Sequence, residues 1–179
     1  MVHELEDLLK APATDIMDAI LKGFRAQVDV KGKLAELYLY RYLKGLEDKV
    51  VIENLEWRDQ DGVPDFKFTH KGNSYQMECK NLRNEVYKTP EPSYKVEIQR
   101  TRNSKDGSNT RSYRVDYFDI LAACTFNQTG KWEFLFIKTE DLEVVSDNPE
   151  LLKIMQRAPI TVTDPWKKDL TEILKGQSK

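Results

Sequence analysis

The chain has 179 residues, 40% of them hydrophobic and 10% aromatic, and its formal net charge at pH 7 is −2. This length suits one domain with its own core, no apolar run approaches the roughly 20 residues of a membrane helix, and the first residues lack signal-peptide character, so we expect a cytoplasmic protein. With two histidines, a histidine-based zinc site or a Ser-His-Asp triad is hard to assemble. Both cysteines, Cys79 and Cys124, lie in apolar strand-like runs, so we expect them to be reduced and packed in the core.

The N-terminal region predicts two helices, at 3–10 and 13–27, separated by Ala11-Pro12. In the second helix, apolar residues recur at helical spacing from Ile16 to Phe24, which indicates an amphipathic helix. We interpret the pair as a packing element, with a dimer surface as the alternative.

Residues 31–44 form the strongest predicted helix. Leucine and tyrosine side chains cover most of its circumference, so the helix is expected to be largely buried, and Glu36 lies among them. A buried carboxylate is costly unless it is paired or bound to an ion. A salt bridge to Lys33 or Arg41, or simple exposure, is one interpretation of Glu36.

A first strand is predicted at 49–57, and a hairpin follows it. Residues 63–69 and 75–80 each alternate apolar and polar side chains, as two strands with one buried face do. Lys71-Gly72 lies between them and predicts the turn.

Two carboxylates and an amine share the polar face of this hairpin. Symmetry about the turn places Asp65 directly across from Glu78, with Cβ atoms roughly 4.5–5.5 Å apart. Carboxylates this close repel each other unless a cation lies between them, and Lys80 lies two residues beyond Glu78 on the same face. Oxygen ligands suit Mg²⁺, so the arrangement predicts a magnesium site for phosphodiester chemistry.

Pro64-Asp65, followed after a dozen-odd residues by Glu78-x-Lys80 at the end of a second strand, resembles the motif of the PD-(D/E)xK nuclease superfamily. The resemblance implies a restriction-endonuclease-like α/β fold, with a central mixed β-sheet of about five strands flanked by helices. It also implies that Asp65, Glu78 and the backbone carbonyl of Cys79 hold Mg²⁺, for which Mn²⁺ can substitute. Lys80 is then expected to orient or deprotonate the attacking water, or to neutralise charge on the phosphate.

Two accessory residues follow from the same resemblance. The first core helix of the family often bears a glutamate at the metal site, which makes Glu36 a further catalytic and metal-binding candidate. In several branches a glutamine on the next helix helps to orient the scissile phosphate. Gln99 has that place in chain order, on a short helix predicted at 94–102.

The segment after Lys80 is basic. Residues 81–115 show no strong periodicity and predict a long polar connection, and residues 80–114 carry nine basic against four acidic side chains, a local charge of +5. Such a segment beside the carboxylates favours binding to double-stranded DNA, with a solvated loop of incidental charge as the alternative. The DNA-binding candidates are Arg83, Lys95, Arg100, Arg102, Lys105, Arg111 and Arg114.

The C-terminal part opens with two nearly continuous apolar runs, at 117–126 and 131–138. They predict a hairpin buried on both faces and therefore central in the sheet. Helices are predicted at 149–157 and 165–175, flanking a strand-like segment at 160–162.

Together these features predict one nuclease domain over 1–179, with a helical extension at 1–27, a catalytic core at 30–140 and a second helical extension at 145–179. The predicted function is that of a magnesium-dependent deoxyribonuclease. It would be an endonuclease most like a type II restriction enzyme of a restriction system, acting as a homodimer. The alternatives are a repair or Holliday-junction-resolving nuclease, and a non-catalytic DNA-binding module with the same fold.

Overall fold

The computed structural model describes residues 3–100 and 111–175 and has the mixed α/β architecture that the sequence predicts, a sheet flanked by helices. The helices in these ranges are α1 (Glu4–Leu9), α2 (Ala13–Lys22), α3 (Phe24–Asp48), α4 (Phe126–Thr129) and α5 (Leu170–Lys175). The strands are β1 (Glu53–Trp57), β2 (Phe66–His70), β3 (Asn73–Tyr87), β4 (Ser93–Glu97), β5 (Ile120–Cys124), β6 (Phe134–Lys138), β7 (Val144–Val145), β8 (Asn148–Leu152) and β9 (Met155–Pro159). None of the helices described has both the length and the apolar character needed to cross a membrane.

The chain divides into two compact units, 1–34 and 35–179, with the boundary inside α3. The N-terminal unit holds α1 and α2, which the Glu6 carboxylate joins: it accepts hydrogen bonds from the backbone N–H of His3 at 2.8 Å and of Ala13 at 2.7 Å. The helix predicted at 13–27 is interrupted at Gly23, whose backbone is extended, because glycine leaves the helical conformation at little cost.

The long strand β3 organises the sheet of the second unit. It pairs antiparallel with β2 along its first residues, parallel with β5 in its middle, and antiparallel with β4 along its last residues. β1 continues the sheet beyond β2, β9 beyond β4 and β6 beyond β5. The sheet thus has seven strands among the residues described, against the five or so expected, and β7 and β8 form a separate pair.

Each face of this sheet buries its own apolar cluster. On one face, Met77 and Cys79 of β3 pack in a cluster with Leu39 of α3, and on the other, Leu82 belongs to a cluster with Leu121 of β5. Every residue of β5 is buried, as the apolar run at 117–126 predicts for a strand covered on both sides. Cys79 and Cys124 are buried and form no disulfide, also as expected.

Four secondary-structure predictions are wrong. The segment at 160–162, expected to be strand-like, is not a strand, since β9 ends at Pro159. The helix predicted at 94–102 is replaced by strand β4, and the helix predicted at 149–157 by β8 and β9. Residues 81–87, expected in an irregular connection, continue β3. The physical reason is pairing: β9 pairs with β4, which pairs with β3, and β8 pairs with β7. The pairing of β8 overrides the helical propensity of Glu150-Leu151-Leu152-Lys153.

Candidate active site

The hairpin of β2 and β3 has the predicted register. Phe66 pairs with Met77, and each following pair keeps the same symmetry about Lys71-Gly72. Both turn residues have positive φ, 48° at Lys71 and 79° at Gly72, as a two-residue type I′ turn requires. Asp65 directly precedes β2, so the same register places it opposite Glu78.

Asp65 occupies an interruption in the pairing of β3. β2 pairs with β3 as far as Met77 and β4 pairs from Leu82, so in the described chain the intervening residues of β3 pair with β5 alone. The Asp65 carboxylate supplies the acceptor that a neighbouring strand would otherwise provide. Its Oδ2 accepts a hydrogen bond from the backbone N–H of Cys79 at 2.8 Å. The N–H and C=O of one strand residue point the same way, so the Cys79 carbonyl faces this interruption too.

Glu78 is the second acid of the site, and it is only 3% exposed. Its Oε1 accepts hydrogen bonds from the Lys80 ammonium and, at 2.7 Å, from the Tyr113 hydroxyl. Burial lowers the pKa of Lys80, but Glu78, Tyr113 and Asp65 together raise it above its ordinary value, so the amine is charged. The hairpin pattern predicts that Asp65, Glu78 and Lys80 lie together, and the structure places them so.

The site carries more negative charge than Lys80 balances. Burial first, and the Glu78 charge second, raise the pKa of Asp65 from 3.8 to about 7. Glu36 adds to this shift, so its carboxylate lies near enough to act on Asp65. Glu36 is held from β1, because the indole Nε1–H of Trp57 donates to its Oε2 at 3.0 Å.

Gln99 has a different setting from the one expected. It follows strand β4 instead of lying on a helix, and its side-chain amide donates to Glu97 Oε1 at 2.7 Å. The helix expected to present the Gln99 side chain is absent from this part of the described chain. The role of Gln99 on the scissile phosphate therefore stays a prediction.

The candidate DNA-binding residues differ in their contacts: some pair with acids, others pack on aromatic rings, and Arg111 donates to a backbone carbonyl. Arg83 forms ion pairs with Glu97 and Glu85, and Arg114 forms ion pairs with Asp116 at 3.1 Å and Glu150 at 3.0 Å. Further contacts involve Lys95, whose amine lies 4.9 Å from the ring centroid of Tyr87, and Arg111, whose Nε–H donates to the Arg100 carbonyl. Arg102 and Lys105 lie outside the described residues.

Sequence reasoning missed Tyr113 and Tyr117 as neighbours of the acids. Their rings stack with centroids 4.7 Å apart, and the Arg100 guanidinium lies 6.0 Å from the first centroid and 5.7 Å from the second. The Arg100 Nε is buried and has no hydrogen-bond partner among the residues at 3–100 and 111–175. The sole signal in the sequence was the mixture of tyrosine and arginine in the basic segment, which does not say which side chains face the carboxylates.

The donors at this site fit a hard divalent cation. Within 3–100 and 111–175, no three His, Cys, Asp or Glu side chains form a group that could hold a metal ion by themselves. Mg²⁺ does not need such a group, because it is commonly bound by one or two carboxylates together with waters and substrate phosphates. Asp65, Glu78 and the Cys79 carbonyl supply oxygen donors of this kind, and the raised pKa of Asp65 marks the unbalanced charge that a cation would relieve.

Comparison with known proteins gives a similarity to a solved structure. No protein-family model matches the chain, and no curated protein sequence matches it. Among solved structures it is similar to the bacterial homing endonuclease I-Ssp6803I, with 17% identity and a TM-score of 0.46, over 83% of this chain and 91% of that one. Similarity at this level is too low for residue roles to be transferred.

Proposed function

We propose that the protein is a metal-dependent endonuclease that hydrolyses phosphodiester bonds in double-stranded DNA. The observation that carries this proposal is the meeting of half-buried Asp65 and buried Glu78 next to Lys80 at an interruption of the sheet. Two carboxylates removed from much of the solvent are a poor choice for stability alone, because the one ammonium contacts Glu78 and Asp65 receives only a backbone hydrogen bond. Strongly perturbed carboxylates of this kind are typical of sites that do chemistry.

Each residue has a role that its setting supports. Asp65, Glu78 and the Cys79 carbonyl would hold Mg²⁺, which when bound polarises the phosphate and activates a water. Lys80 is charged and touches Glu78, so it suits neutralising the negative charge that builds on the phosphate better than removing a proton from water. Glu36, held by Trp57, adds a carboxylate at the rim.

We extend the proposal to a restriction-type enzyme that works as a homodimer, because two sites are needed to cut both strands of a symmetric target. The N-terminal unit supplies a candidate surface. Neither α1 nor α2 buries a residue, and Leu8, Met17, Leu21 and Phe24 are 74%, 66%, 71% and 81% exposed. Helices this short gain most of their stability from covering an apolar face, so a partner for these residues is expected.

The dimer is tested by light scattering coupled to gel filtration. Wild type is expected at twice the mass of one chain, and a Leu21→Glu, Phe24→Glu variant at the mass of one chain, because two charges would enter the apolar contact. Asp15→Lys, on α2 like Leu21, is the matched control and is expected to leave the mass unchanged. A wild type that runs as a single chain would refute the dimer without touching the chemistry.

Cleavage is tested with a supercoiled plasmid and a synthetic four-way junction, each with Mg²⁺ or with EDTA. Asp65→Ala and Lys80→Ala are expected to lower Mg²⁺-dependent cleavage at least about a hundredfold, since each removes a group that acts on the reacting phosphate or its metal. DNA binding, measured without metal, is expected to change little. Lys153→Ala, which breaks a surface ion pair with Glu143, is the control and is expected to cleave like wild type.

The outcomes separate the candidate functions. Cutting of the plasmid supports the restriction-type endonuclease, and cutting of the junction alone supports a resolving nuclease. Binding to DNA with no metal-dependent cleavage by wild type would leave a DNA-binding module. Full activity in either Asp65→Ala or Lys80→Ala would end the assignment of this site.

A further inference from the structure

We propose that Tyr113 is a positioning residue that fixes the Glu78 carboxylate for metal binding. The inference rests on the proposed nuclease function and deepens it, since it adds a residue that the carboxylate pattern does not contain. Tyr113 lies 35 positions from Glu78 in the chain and meets it only in the fold.

Packing around the Tyr113 ring fixes the position of its hydroxyl. Its ring stacks on Tyr117 at an interplanar angle of 23° and meets the edge of Phe118 at 82°, and the residue is only 5% exposed. Its backbone carbonyl accepts a hydrogen bond from the N–H of Leu152 on β8 at 2.8 Å. The hydroxyl therefore reaches Glu78 Oε1, at 2.7 Å, from a fixed frame.

This contact restrains the part of a glutamate that is otherwise free. The terminal torsion of a glutamate side chain has a broad preference, so a carboxylate rotates unless hydrogen bonds hold it. Tyr113 and Lys80 both donate to Oε1, and neither donates to Oε2, which lets the second oxygen serve another ligand. Partners of this kind orient the carboxylates that bind metals, and their loss typically costs 10–100-fold in metal affinity or activity.

The test compares Tyr113→Phe with Tyr38→Phe. The first change removes the hydroxyl and keeps the ring that packs on Tyr117, Phe118 and Arg100. The second removes a hydroxyl from a ring that stacks on Trp132, with ring centroids 5.0 Å apart. Mn²⁺ binding is measured by calorimetry without DNA, and cleavage is measured as kcat and as KM for DNA.

Tyr113→Phe is expected to weaken Mn²⁺ binding about 10–100-fold and to lower kcat while KM for DNA stays unchanged. Added Mn²⁺ is expected to recover part of the lost rate, which a change in folding alone would not allow. Tyr38→Phe is expected to match wild type in both measurements. Equal Mn²⁺ affinity in Tyr113→Phe and wild type overturns the proposal.

A second measurement serves if Tyr113→Phe does not fold. Fluorotyrosine placed at position 113 keeps the ring and the hydroxyl, and its fluorine resonance is expected to move when Mg²⁺ is added. Fluorotyrosine at position 38, where the ring packs on Trp132, is the control and is expected to stay in place. An unmoved resonance at position 113, in protein that binds Mg²⁺, overturns the proposal.

The failure of this inference and that of the proposed function look different. Wild type that neither binds Mn²⁺ nor cleaves DNA defeats the nuclease itself. Wild type that does both, beside a Tyr113→Phe variant that does both equally well, defeats only the role of Tyr113.

Discussion

Asp65 and Glu78 place two acids where the fold gains little from them. Glu78 is nearly inaccessible, and Asp65 is desolvated enough for its pKa to reach about 7. Lys80 and Tyr113 satisfy one oxygen of Glu78, and the Cys79 N–H satisfies one oxygen of Asp65. The two carboxylates are thus balanced by only one ammonium. Proteins retain such unbalanced charge at functional sites, at some cost in stability.

The raised pKa of Asp65 predicts how stability depends on pH. The folded protein holds this proton more tightly than the unfolded chain, so the favourable contribution of Asp65 is present below its unfolded pKa of 3.8 and is lost as pH rises through about 7. In EDTA, Asp65→Asn is therefore expected to gain stability over wild type between about pH 5 and about pH 8, by on the order of 2 kcal/mol. Urea unfolding at the two pH values measures this difference.

Asp116→Asn is the control for that experiment. Asp116 is exposed and pairs with Arg114 at 3.1 Å, so this variant also loses one carboxylate but leaves the surroundings of Asp65 and Glu78 intact. A stability difference between Asp65→Asn and wild type that stays constant or shrinks as pH rises would contradict the assigned shift.

At the scale of elements, the site depends on one strand with changing partners. β3 pairs with β2, β5 and β4 along successive parts of its length. Glu78 lies where the pairing with β2 has ended and the pairing with β4 has not begun. The short turn at Lys71-Gly72 sets the register that brings Asp65 to this point. A slip of one residue would turn Asp65 to the other face of the sheet and dismantle the site.

The turn therefore predicts stability changes that are independent of chemistry. Gly72 has a φ of 79°, and a Cβ atom added there would meet nothing within 4 Å, so Gly72→Ala is expected to cost about 1 kcal/mol from backbone strain alone. Lys71→Asn is expected to stabilise by about 0.5 kcal/mol, because asparagine adopts positive φ more readily than lysine. Urea unfolding measures both, and the opposite order of stability would exclude the type I′ turn.

At the scale of the whole molecule, a chain of net charge −2 can bind DNA only through an uneven distribution of charge. Arg83 and Arg114 are neutralised by neighbouring acids. Arg100 is instead packed on two tyrosine rings, and its Nε has no hydrogen-bond partner in the part of the chain that the structure describes. The net positive potential near the site thus depends more on Arg100 than the simple count of basic residues suggests.

Salt dependence distinguishes these arginines. Arg100→Gln is expected to weaken DNA binding and to reduce the slope of log affinity against log salt by about 0.9, the value for one phosphate contact. Arg83→Gln is expected to change both quantities less, because its guanidinium already faces Glu97 and Glu85. Fluorescence anisotropy in EDTA measures both variants, and a larger effect from Arg83 would reverse this order.

The hairpin, its register and the meeting of Asp65, Glu78 and Lys80 were determined by the sequence itself, because strand alternation and a two-residue turn are local properties. Strands β4 and β9, which replaced predicted helices, and the contact of Tyr113 with Glu78 were decided only by the tertiary structure. They depend on pairing and packing between residues far apart in the chain, and such contacts override local propensity without leaving a periodic pattern in any short window.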